Sequence, residues 1–108
     1  MKSELKILSE FAAKANDLFY SKFEHIDTIM GIMDKTLRNQ GMKADAITID
    51  CITLDKKIVM LSYDDKPELV DIALGNKKGD IFSSSKHELS RLSAVAIMDI
   101  MEEYFIVK

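Results

Sequence analysis

The sequence predicts a single α+β domain, in which a long N-terminal amphipathic helix and a C-terminal helix pack on one face of an antiparallel sheet. Apolar residues recur every three or four positions in the first third of the 108-residue chain, and segments with β-type side chains fill the middle. A helical pattern returns near the end. The length fits one domain over residues 1–108, with the element order α-β-β-β-(β)-α.

The first helix is predicted to run from Leu5 to Leu37. Spacing by threes and fours throughout this segment is that of an amphipathic helix. The Asn39-Gln40-Gly41 segment supplies a stop signal, and Gly31 is the weak point inside the helix. The apolar stripe consists of Leu5, Leu8, Ala12, Ala15, Phe19, Phe23, Ile26, Met30, Met33 and Leu37.

The middle of the chain is predicted to form a meander of three to four strands. Its segments are Ala46–Leu54, Ile58–Tyr63 and Leu69–Leu74, and residues 80–82 are a candidate for a short fourth strand. β-Branched and aromatic side chains are frequent in these segments. The connections are too short for parallel crossovers, which favours antiparallel neighbours.

A second helix is predicted from near Lys86 to about Tyr104. Ser85 and Glu88 have the spacing of a capping box, which marks the start of a helix. Residues 92–101 are apolar on most sides, so this helix should be deeply buried. The β-type side chains of residues 104–107 either end the helix or pair with a sheet edge.

The first helix is too long for the domain that it belongs to. About 35 residues give roughly 50 Å of helix, whereas a compact domain of this size is roughly 34 Å across. Either the helix breaks, at Gly31 or near Asn39, or its overhanging stripe packs against a second copy or another protein. The unbroken spacing favours a straight helix. The exposed stripe of such a helix would be an aggregation liability in a monomer, which favours the second alternative. The residues predicted to bind the partner are Phe19, Phe23, Ile26, Met30 and Met33.

The predicted meander also places charges. Its first and third turns lie at one end of the sheet, and the Asp64-Asp65 turn lies at the other. A cluster of lysines is therefore expected at the first end, although turn lysines are usually only solvated. Such a charge separation would suit an acidic partner or a phosphate backbone. The residues of this predicted patch are Lys56, Lys57, Lys77 and Lys78.

Few residues suggest chemistry. Cys51, the only cysteine, could pair with His25 or His87 as an activated nucleophile, but its place in an apolar strand pattern is typical of a buried thiol. No segment has the ligand spacing of a zinc site, a calcium loop or a phosphate loop. We therefore predict no catalytic residue, no metal and no cofactor. The hypothesis that the protein is an enzyme is accordingly the less favoured one.

Composition narrows the function further. The net charge of −3 disfavours a dedicated nucleic-acid binder. One cysteine and no signal peptide predict a cytoplasmic protein, and Leu92–Met98, the longest uncharged stretch near the end, is too short for a membrane span. The leading hypothesis is a homodimeric interaction protein of adaptor, inhibitor or immunity, or chaperone type. The alternatives are a nucleic-acid-associated protein that uses the lysine patch and a small enzyme with a site invisible in sequence.

Overall fold

The structure, a computed structural model, describes residues 3–106. These residues form two major helices around a five-stranded sheet, which confirms the predicted α+β class. Short 3-10 turns occupy Ile52–Leu54 and Leu89–Arg91. The elements are α1 Ser3–Lys22, β1 Ile29–Met33, α2 Thr36–Asn39, β2 Ala44–Cys51, β3 Lys56–Tyr63, β4 Lys66–Gly75, β5 Ile81–Glu88 and α3 Ala94–Phe105.

The sheet is the predicted antiparallel meander, with the strand order β1-β2-β3-β4-β5. It has five strands rather than three to four, because residues 29–33 pair with β2 and because β5 extends to Glu88. The strand predicted over Ala46–Leu54 ends at Cys51, where the backbone enters a 3-10 turn. Each strand therefore pairs only with its neighbours in the sequence.

The prediction of one continuous helix as far as Leu37 is wrong. α1 ends at Lys22, and the backbone amides of Phe23 and Ile26 make the last local hydrogen bonds before β1 begins. A helix of 20 residues is about 30 Å long, and it fits within the 37 Å length of the molecule. Because α1 does not overshoot the sheet, the argument for an overhanging stripe fails.

α1 and α3 pack side by side on one face of the sheet. The ring of Phe19 meets the edge of Phe105 with 5.9 Å between centroids, and Lys22 reaches Glu102 at 3.0 Å. The C-terminal ends of the two helices therefore lie together. The helices cover the sheet face that carries the core side chains Ile47, Ile49, Ile58, Met60 and Ile72.

α3 begins at Ala94 and not near Lys86. The Oγ atom of Ser93 accepts a hydrogen bond from the amide of Ala96 at 3.1 Å, so Ser93 is the N-cap. The capping box predicted at Ser85 is wrong, because residues 85–88 pair with β4 instead. α3 extends through Phe105, and Val107 lies outside the described residues.

No helix in the described part of the chain combines the length and the apolarity that a bilayer crossing requires.

Candidate protein-binding site

The structure does not assemble the five predicted partner-binding residues into one exposed stripe. Phe19 is fully buried in the core. Phe23, Ile26 and Met30 are partly buried and pack against the same core. Met33 lies opposite Ala46, on the sheet face away from the helices. Partner binding through these residues stays a prediction, without a shared surface to support it.

The lysine-bearing turns do lie at one end of the sheet. The turn at Ile52–Leu54 joins β2 to β3, and residues 76–80 join β4 to β5. The backbone amide of Lys77 donates to the Asp55 carboxylate at 3.2 Å, which ties the two turns together. The antiparallel meander thus brings the four lysines to the same end.

Two of these lysines are already engaged within the protein. Lys56 Nζ donates to the backbone oxygen of Tyr104 at 2.8 Å and lies 5.2 Å from the centroid of its ring. Lys57 Nζ lies 3.8 Å from the carboxylate of Asp50. Of the four lysines, Lys77 and Lys78 are exposed, whereas Lys56 and Lys57 are half-buried. Two lysines release few counterions, so this end gives little support to phosphate-backbone binding.

Arg38 forms the strongest polar cluster, at the opposite end of the sheet. Its guanidinium donates to Asp45 at 2.9 and 2.7 Å, and to Asp64 at 2.8 and 2.8 Å. These bonds, first to Asp64 and then to Asp45, raise the pKa of Arg38 above its usual range. The guanidinium thus forms a bidentate pair with each of the two carboxylates, and these pairs hold α2 against the sheet. Asp64, predicted to lie in the turn opposite the lysines, is therefore an ion-pair partner of Arg38.

β5 is the most accessible strand of the sheet. It pairs with β4 along one edge, and in the described part of the chain no other strand pairs with its second edge. All its positions are exposed except His87, which is half-buried. It begins with two large apolar side chains in solvent, Ile81 and Phe82, which are 67% and 66% exposed. A long open edge beside exposed apolar residues is typical of a site for pairing with another chain.

A groove separates β5 from α3. It consists of two adjoining cavities, of about 420 and 510 Å³, which share His87 and Ile100. Cavities of this size accommodate ligand side chains. Ile72 and Leu74 of β4 form part of its floor. Their cross-strand partners on β5, Ser85 and Ser83, are small, so the groove is low on its outer side.

The position of α3 beside the groove is fixed by its C-terminal end. The hydroxyl of Tyr104 donates to the backbone oxygen of Gly75 at 2.6 Å, and Lys56 holds the backbone oxygen of the same tyrosine. Burial, followed by the charge of Asp55, raises the pKa of Tyr104 above its ordinary value. The phenol therefore stays protonated and keeps its bond to the sheet at neutral pH.

The wall of the groove formed by α3 is acidic. Asp99 lines one cavity and Glu103 the other, one helical turn apart. Neither side chain forms an ion pair or a hydrogen bond in the described part of the chain. By contrast, Glu88 at the end of the groove is paired with Arg91 at 2.9 Å. The groove therefore offers two unneutralised carboxylates above an apolar floor.

Ser85 and His87 are the pair in the groove that most resembles a catalytic arrangement. The Oγ atom of Ser85 lies 2.7 Å from Nε2 of His87, as in a nucleophile and its base. No hydrogen bond to a third, orienting group is found for His87 in residues 3–106. Cys51 is fully buried in β2, three strand spacings, or about 14 Å, from β5. The structure therefore does not form a Cys51–His87 pair, and Cys51 is the buried thiol that the strand pattern predicted.

Metal ligands are not gathered either. Within residues 3–106, no group of three or more histidine, cysteine, aspartate or glutamate side chains is arranged to hold an ion. The groove and the open strand edge, rather than a reactive centre, are the features that geometry singles out.

Sequence reasoning missed this site because β5 carries little strand signal. Residues 83–85 are serines, and Ser85 to Glu88 match a capping box by chance. Strand structure here comes from pairing with β4, a tertiary interaction that a local pattern does not report.

No family model matches this sequence, and no significant match was found among curated proteins or among solved structures.

Proposed function

We propose that this protein is a non-enzymatic interaction module that binds an extended segment of a partner protein as a sixth strand at β5. The observation that carries the proposal is the open edge of β5, eight residues long, beside the groove under α3. In this mode of recognition, main-chain hydrogen bonds supply affinity and the neighbouring pockets supply specificity. An adaptor, an inhibitor or a chaperone would each use such an edge.

The strength of this interaction follows from the length of the edge. In an antiparallel strand, alternate residues direct both the amide and the carbonyl outward, so about half of β5 is available for pairing. At about 0.5–1.5 kcal/mol for each hydrogen bond, a fully paired edge contributes several kcal/mol before ordering costs. Backbone pairing alone therefore gives weak binding, and contacts in the groove must add to it.

A second copy of the chain is the competing occupant of this edge. Antiparallel pairing of two β5 strands about Ser84 would place Phe82 opposite Lys86, but it would also place Glu88 opposite Asp80 of the other copy. In addition, β5 directs Ser83, Ser85 and His87 toward the groove, and these side chains do not complement its carboxylates. A partner segment from another protein fits the groove better than β5 itself.

The decisive experiment replaces backbone amides of β5. Ser84→Pro and Ser85→Pro each remove one backbone amide, and adjacent amides of a strand point to opposite edges. One substitution therefore removes a hydrogen bond to β4 and destabilises the fold, whereas the other removes an amide at the open edge. We call the second one the outward proline variant, and it is identified by its wild-type circular dichroism spectrum and melting temperature. Peptides selected from a random octapeptide display library on the wild-type protein should lose at least tenfold in affinity for this variant.

Ser84→Thr and Ser85→Thr are the matched controls, because they change the side chain and keep the amide. Selected peptides should bind both controls as they bind the wild type. Unchanged affinity for the folded proline variant would overturn the proposal. Light scattering at micromolar concentration tests whether a second copy occupies the edge instead. If the wild-type protein were a dimer and the folded proline variant a monomer, the occupant of the edge would be a second copy and not a segment of another protein.

A further inference from the structure

We infer that the segment bound at β5 carries two basic side chains two residues apart, both directed into the groove. This inference rests on the proposed function, and it specifies the class of partner. The basis is the spacing of Asp99 and Glu103 along α3, together with the groove between α3 and β5 that these two residues line.

α3 and β5 run side by side in opposite directions. Glu103 lines the cavity that also contains Ser85, and Asp99 lines the cavity that ends at Glu88. His87 and Ile100 lie where the two cavities meet. A shift of two residues along β5 thus corresponds to a shift of four residues along α3.

The distance covered by four residues of α3 matches the distance covered by two residues of a strand. Four residues of helix rise about 6 Å, and two residues of strand rise about 6.8 Å. An added strand continues the pleat of β5, so its alternate side chains face the groove. Two successive groove-facing residues of the partner would therefore pass Asp99 and Glu103 in turn.

The shape of the groove selects long side chains. An added strand lies about 4.8 Å beyond β5, and its side chains must cross β5 to reach α3. Ser85 has a short side chain and leaves room for a side chain that crosses toward Glu103. A side chain that crosses toward Asp99 passes the half-buried His87. The methylene stem of a lysine or arginine can pack on Ile100 while its charged head reaches the carboxylates.

The charges around the groove favour a cation at these two positions. Asp99 and Glu103 have no partner in the described part of the chain. The two cations that line the same cavity as Asp99 already have partners, since Arg91 pairs with Glu88 at 2.9 Å and Lys86 lies 3.9 Å from Asp71. Two carboxylates in the partner would be repelled, whereas two basic groups would be neutralised.

The test compares two synthetic peptides of nine residues that differ only in charge. Both have the pattern Thr-Val-Thr-X-Thr-X-Thr-Val-Thr with blocked ends, where X is lysine in one peptide and glutamate in the other. In fluorescence anisotropy at low ionic strength, the lysine peptide should bind the wild-type protein at least tenfold more tightly. The double variant Asp99→Lys/Glu103→Lys should reverse this preference.

A control with the same change in net charge is available on α1. The double variant Glu10→Lys/Asp17→Lys alters two exposed residues on the helix, away from the groove. It should retain the wild-type preference for the lysine peptide. Raising the salt concentration should weaken this preference, because the ion pairs are partly exposed.

The results separate this inference from the proposed function. Equal binding of the two peptides, or a preference that the groove variant leaves unchanged, would overturn the basic-pair inference. If the outward proline variant still lost both peptides, strand addition at β5 would stand. If the charge preference reversed as expected but the outward proline variant bound normally, the groove would bind its ligand without strand addition, and the proposed function would fail.

Discussion

Replacing Phe19 by alanine tests whether the apolar stripe of α1 belongs to the core or to a partner surface. The side chain is fully buried, with ring centroids 5.0 Å from Phe23 and 5.9 Å from Phe105. Truncating a buried phenylalanine lowers the free energy of unfolding by about 3–5 kcal/mol. Since domains are stable by only about 5–15 kcal/mol, Phe19→Ala should remove a large part of the stability.

Urea unfolding followed by far-ultraviolet circular dichroism measures this loss. With a slope of about 2 kcal/mol per molar urea, the midpoint should fall by roughly 2 M. Tyr20→Ala is the matched control, because its side chain is 54% exposed on the same helix. Its effect should stay within about 0.5 kcal/mol. In a double-mutant cycle of Phe19→Ala and Phe105→Ala, the free energies of unfolding should show a coupling of about 0.5–1.5 kcal/mol from the edge-to-face pair.

A small effect would refute this reasoning. If Phe19→Ala lowered the midpoint no more than Tyr20→Ala, Phe19 would not be a core residue in solution. The stripe of α1 would then be free to contact a partner, as the sequence pattern suggested.

Three further measurements test other parts of the structure. Ser93→Ala should lower the free energy of unfolding in urea by about 1 kcal/mol through loss of the N-cap, whereas Ser85→Ala should change it little; the reverse order would support a helix start at Ser85. Gly75→Ala should lower the melting temperature, because its new Cβ would collide with the backbone oxygen of Asp80. Overpacking of this kind destabilises by about 1–3 kcal/mol, and an unchanged melting temperature would contradict the turn geometry. Burial raises the pKa of Tyr104 above 10.0, so the unfolded chain loses the phenol proton first as the pH rises past about 10, and the free energy of unfolding falls. Ultraviolet titration should show one phenol that ionises later than the others and that disappears in Tyr104→Phe. If this late phenol persisted in the variant, its assignment to Tyr104 would be wrong.

The strands in the middle of the chain were predictable because their side chains alternate. In β2, Ile47, Ile49 and Cys51 face the helices, and the pattern alone gives that face. Residues 29–33 were not predictable in this way. Met30 and Met33 continue a helical spacing, and only pairing of this segment with residues 46–50 makes it a strand.

The candidate site depends on contacts between distant parts of the chain. Topology alone brought Lys56 and Lys77 to one end of the sheet, but it did not show that Lys56 is held by Tyr104. Tyr104 also lines the groove, and its hydroxyl binds Gly75, 29 residues away. No local pattern encodes such a contact, so a site formed by α3 and β5 stays hidden in the sequence.

The nearest-neighbour order of the strands has a consequence for the kinetics of folding. The hairpins β2–β3, β3–β4 and β4–β5 close through short connections, residues 52–55, 64–65 and 76–80, so each can form early at a small entropic cost. The contact between α1 and α3 is different, since Lys22 and Glu102 are 80 residues apart. We expect the transition state to contain the central hairpins, while the docking of the two terminal helices follows and sets the rate of unfolding.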